Sequence, residues 1–108
     1  MAYIAPVYER AAEQIRSEQH DAQEYFFQMF ALVLGLLVGV DEHGDSESVT
    51  WLIGRARLLM KEMSELHVQA LGVDQACKMT AERVSQLMGD DVAPNDLRDL
   101  FEPAKPKH

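Results

Sequence analysis

The sequence predicts an all-α protein, and three observations carry that prediction. Apolar residues recur at helical spacing through three long segments, no stretch alternates with the period of a strand, and polar or glycine-containing stretches separate the segments. At the centre lies 25–40, YFFQMFALVLGLLVGV, which holds no charge and one strongly polar side chain, Gln28. A helix apolar all round has to be buried on every side or lie in lipid. The expected architecture is a bundle of three main helices, about 6–40, 46–71 and 74–88. A short C-terminal helix at about 94–101 comes after them, and homodimerisation completes the bundle. One domain, 1–102, and a disordered tail, 103–108, make up the chain.

The first helix opens near Pro6, whose missing N–H costs nothing in a first turn. A 4-3 frame then runs through Tyr8, Ala12, Ile15, Gln19, Ala22, Phe26, Met29, Val33, Leu36 and Val40. That unbroken frame argues for one helix straight through the polar patch 16–21. Asp21 followed by Glu24 is a competing signal, a capping pair that would start a fresh helix. A continuous helix would be about 50 Å long, against a radius of gyration of about 13 Å for a compact domain of this size. It would overhang its own domain unless it kinks or a second chain covers the excess.

The polar stretch 41–48, DEHGDSES, is the clearest loop, with Asp45 or Ser46 placed to cap the next helix. That second helix keeps a 3-4 frame through Val49, Leu52, Ala56, Leu59, Met63, Leu66 and Ala70, and Gly72 ends it. The third keeps Val73, Cys77, Thr80, Val84 and Leu87 in frame and closes at Gly89. The segment 94–101 gathers Leu97, Leu100 and Phe101 on one small face before Pro103 stops it.

Eighteen acids against ten bases give a formal charge of −8. Such a balance disfavours nucleic acid and anionic lipid and suits a basic protein partner. A lone cysteine, Cys77, excludes an internal disulfide framework, and the N-terminal residues lack a secretory pattern. A cytoplasmic location is the resulting expectation. Membrane insertion is not expected, because the apolar run is short of about 20 residues and its flanks are acidic.

No catalytic or cofactor motif is present, and no cofactor or structural metal is expected. His20 and Glu24 stand four apart on one helical face, with Asp21 nearby. They are the basis of an alternative reading as an all-α metal-dependent hydrolase, although the pattern is common on solvated helices. His43 sits among the acids of the 41–47 loop, and His67 at the edge of an apolar face; both read as ordinary surface or boundary residues. Arg55, Arg57 and Lys61 form the one basic concentration and are expected to pair with acids within the bundle or across a dimer. The numerous Met and Phe side chains read as core.

The expected function is that of a small acidic interaction module that binds and masks a protein partner, of inhibitor, immunity, antitoxin or chaperone type. Ala31, Gly35 and Gly39 at four-residue spacing, with Phe27, form the expected dimer interface, since small residues let another helix approach closely. Asp41, Glu42, Asp45 and Glu47, with Leu97, Leu100 and Phe101, form the expected partner-binding set. Acids there would set the on-rate while an apolar patch supplies affinity. A membrane-associated role through 25–40 is the second alternative.

Overall fold

The computed structural model describes residues 4–43, 46–63, 65, 72–94 and 97, and these contain four α-helices and no strand. They are α1 (Ile4–Glu18), α2 (Ala22–His43), α3 (Ser46–Met63) and α4 (Val73–Met88). The all-α class is as the apolar periodicity requires. The chain divides into two compact units, Met1–Leu59 and Met60–His108.

The continuous first helix is a correction. The chain breaks at 19–21, and Asp21 is the reason. Its carbonyl accepts the Tyr25 N–H at 2.9 Å, and its carboxylate Oδ1 accepts the Glu24 N–H at 3.0 Å. Those two bonds are the geometry of an N-cap, worth about 1 kcal/mol to the helix it starts. Little opposes them, because residues 16–21 bring no strongly apolar side chain to bury. The overhang disappears with the break: α1 packs back on α2. Across a three-residue connection, two helices in contact form an αα-hairpin. Arg16 closes the end of α1, bonding Glu13 at 2.8 Å. The Tyr25 side chain, and after it Glu13, hold its guanidinium above the usual value.

Within the first unit, α1 buries Ile4, Tyr8 and Ala12, four residues apart on one stripe. From α2 come Phe26, Phe27, Met29, Phe30 and Val33. Phe26 stacks on Phe30 at 6.0 Å and meets Phe27 edge-on at 5.7 Å. The part of α3 that belongs here buries Ser48, Leu52, Ala56 and Leu59. Its Trp51 meets Tyr8 of α1 edge-on at 5.2 Å, a ring geometry favoured by the aromatic quadrupoles.

In the second unit Met60 and Met63, at the end of α3, are fully buried. Beyond Met63, only residue 65 of the helix expected to reach 71 is described, and His67 lies outside the described residues. Helix α4 buries Ala76, Cys77, Thr80, Ala81 and Val84. It ends as expected at Gly89, whose φ of 77° is a left-handed conformation open to glycine without a Cβ penalty. The Gly89 N–H reaches the Ser85 carbonyl at 2.9 Å, and the Val92 N–H reaches the Ser85 hydroxyl at 2.8 Å. Of the expected helix 94–101, Pro94 and Leu97 are described, both helical.

Candidate functional site

Helix α2 has two apolar sides, and the fold covers one of them. Phe26, Met29, Phe30 and Val33 lie on the covered side. After Val33, no residue of α2 as far as Val40 is buried. Leu34, Leu36, Leu37 and Val40 are half-exposed, and Gly35 and Gly39 are exposed. Val38, at 55% exposure, is the most open of the large apolar side chains described. Ala22–Val40 has a mean hydropathy of 1.5, yet only 28% of it is buried. A core helix of that hydropathy would be mostly covered, so α2 carries more apolar surface than its own chain uses.

The open side is also smooth. A Cβ added at Gly35 or at Gly39 would meet no atom within 4 Å. These glycines fill no tight contact inside the chain. Their spacing of four sets them on one helical stripe with Ala31, which is half-exposed, and Val38 broadens that stripe.

The expected dimer residues therefore separate. Gly35 and Gly39 are open and Ala31 partly so, whereas Phe27 is 6% exposed and packs on Phe26. Phe27 stands four residues before Ala31, at the N-terminal end of the stripe, where the chain covers it. Among the expected partner-binding residues, Asp41 and Glu42 fall in the last turn of α2 and Glu47 is exposed in the first turn of α3. Leu97 is 2% exposed, covered by the chain itself. Asp45, Leu100 and Phe101 lie outside the described residues.

His20 is exposed in the connection between α1 and α2. Glu24, half-buried, accepts a hydrogen bond from the Gln28 amide at 3.2 Å. No group of three or more His, Cys, Asp or Glu stands close enough to hold a metal ion among the described residues. Cys77 is 1% exposed, a small side chain within the buried stripe of α4. Its neighbour on that stripe, Thr80, buries a hydroxyl with no hydrogen-bond partner among the described residues.

One cluster escaped sequence reasoning. The Arg55 guanidinium sits 4.7 Å from the centre of the Trp51 ring and 5.7 Å from that of Tyr8. The acid pairing expected of Arg55 has no counterpart among the ion pairs of the described residues, where its recorded partners are these two rings. Both rings attract the cation through their negative faces. The signal was present as Trp51 and Arg55 four apart on one helix, but Tyr8 is remote in sequence. Beside them, an open pocket of about 580 Å³ is lined by Ser46, Glu47, Thr50 and Trp51.

Comparison with protein-family models, with curated proteins and with solved structures returns no match to this chain.

Proposed function

We propose that this chain is a small helical protein-interaction module whose docking surface is the open side of α2. One observation carries the reading: Ala31, Leu34, Gly35, Val38 and Gly39 form an apolar helix face that the described residues leave open. At about 25 cal/mol per Å² of apolar surface, covering such a face is favourable, and smooth small residues suit a helix as the cover. Alone in solution, a second copy of the chain supplies that helix and the protein is a homodimer. With its partner present, the same face is surrendered to the partner, whose own apolar surface is masked in return.

Neither alternative has an observation of equal weight. A metal-dependent hydrolase needs a ligand set, and the described residues hold no candidate cluster of three. A role in a membrane would use Ala22–Val40, which is long and apolar enough by length and composition. Acids at both ends of α2 make a poor anchor for an anionic leaflet.

Analytical ultracentrifugation of the purified chain without detergent tests the reading. A concentration-dependent monomer–dimer equilibrium is expected, weakened at least about tenfold by Val38→Asp, which sets a charge on the buried face of the complex. Circular dichroism should leave the helix content of that variant unchanged, because Val38 is more than half open to water. A monomer at all concentrations that also captures no partner helix, or a dimer indifferent to Val38→Asp, would count against the face.

A further inference from the structure

We infer that α3 carries a second docking surface, built on Arg55 and Trp51, for an acidic helix that presents a bulky apolar side chain. It lies on a different helix from the open side of α2 and does not depend on it. The surface starts from one cation. The Arg55 guanidinium lies over the Trp51 ring at 4.7 Å and over the Tyr8 ring at 5.7 Å. Tyr8 is buried and meets Trp51 edge-on at 5.2 Å, so the cation rests on a fixed pair of rings. A guanidinium drawn to ring faces spends no hydrogen bond on them, and its N–H donors remain for a carboxylate. Arg57, two residues on, is exposed. Neither arginine has an acid partner among the described residues. In a chain with eighteen acids to ten bases, acids to pair with them are plentiful, yet the fold brings none.

Room for an apolar group lies beside them. The open pocket of about 580 Å³ is lined by Trp51 with Ser46, Glu47 and Thr50. Seven residues along from Trp51, Leu58 is 52% exposed. Between them a Cβ at Gly54 would meet no atom within 4 Å. Trp51, Gly54 and Leu58, three and then four apart, share one side of α3. Charge decides the occupant: acids on a partner are attracted to both arginines, whereas bases are repelled. Glu47 is engaged within the chain and stands about 12 Å from Arg55 along the axis, so the surface is basic at one end only. Arg55 and Arg57 lie about 6 and 9 Å along the helix from Trp51. The partner's carboxylates therefore belong about one and two turns from the apolar side chain that fills the pocket. Nucleic acid fits less well, because a chain at −8 repels a polyanion as a whole and offers it two arginines here.

Two synthetic peptides test this. Both are alanine-based helices with one phenylalanine, followed one and two turns later by Glu in one peptide and by Lys in the other. Affinity for the full chain is read from the anisotropy of a dye on the peptide. The place of binding is read from Trp51, the chain's one tryptophan. The Glu peptide should bind at least about tenfold tighter than the Lys peptide in low salt and shift the Trp51 emission. Arg55→Lys keeps the charge and loses the planar fork, and should weaken Glu-peptide binding about tenfold. Arg57→Gln, at an exposed position that leaves the fold intact, should weaken it several-fold. Circular dichroism checks both variants. Equal binding of the two peptides, or binding of neither, would overturn the inference. Binding that leaves Trp51 emission unchanged, or that ignores both arginine substitutions, would do the same. A preference for a single-stranded oligonucleotide over the Glu peptide would make a polyanion the occupant and sink it too. The α2 reading is judged separately, by Val38→Asp.

Discussion

Helices α2 and α4 have nearly opposite relations to the fold. In α4, the buried residues Ala76, Cys77, Thr80, Ala81 and Val84 form one narrow stripe, and its acids and Lys78 are exposed. Most of its apolar surface lies on that stripe, with Leu87 near its end exposed. In α2, apolar side chains run round the whole helix, and from Leu34 to Val40 none is buried. A narrow stripe finds its cover within the chain, whereas an apolar helix with no polar side needs cover on every side. The surplus on α2 is where function has to be sought, since an isolated chain gains nothing from it in water.

The widest test of that contrast sets the two sides of α2 against each other. Phe30→Ala removes a ring with no exposure and should destabilise the fold by about 3–5 kcal/mol, through lost burial and the cavity left behind. Val38→Ala, one helix face away, should change stability by less than about 0.5 kcal/mol. Urea unfolding at concentrations below the dimerisation range measures both. Similar losses for the two variants would mean that the outer face is covered within the chain.

Helix α4 offers a smaller effect of the opposite sign. Among the described residues the buried Thr80 hydroxyl has no hydrogen-bond partner, although it sits in a stripe otherwise filled by apolar side chains. Leaving such a group unsatisfied costs about 1–3 kcal/mol. Thr80→Val keeps the shape and removes the hydroxyl, so it should raise stability by about 1 kcal/mol. The midpoint of thermal or urea unfolding reads it. A loss of that size would show that the hydroxyl finds a partner in solution, and the burial of that stripe would rest in part on a polar contact.

The all-α class, the start of α3 and the end of α4 were legible because each arises from local chemistry. Ser46 opens α3, and Gly89 closes α4 at a φ other residues avoid. The break before α2 was present in the sequence as Asp21 and Glu24 but was outweighed by a frame that ran on through Gln19. Periodicity is a weak guide where the residues in frame are polar, because they bury nothing that would reward continuing the helix; a single cap then decides. The open stripe of α2 was legible for a related reason: glycines inside a helix lower its stability and therefore point to close approach. Phe27 shares the spacing of that stripe yet is buried within the chain, which spacing alone does not reveal. Arg55 and Tyr8 could not be joined from the sequence, since nothing local tells that α1 folds back to bring Tyr8 against α3.

The finest test uses the glycines themselves, because the two roles assigned to α2 give one substitution opposite signs. In an isolated helix, Gly35→Ala and Gly39→Ala should each stabilise by up to about 1 kcal/mol, since alanine is the better helix former. Outside the backbone of α2 itself no atom lies within 4 Å of either added methyl, so no packing clash offsets that gain. On a docked face, the same methyl holds the facing helix backbone away and weakens association. The expected outcome is a higher urea midpoint for the dilute monomer together with a weaker dimer. A gain in stability with association unchanged would separate the two claims. The face would still be open, but its contacts would come from the side chains of Leu34 and Val38, and the glycines would no longer explain how a helix fits there.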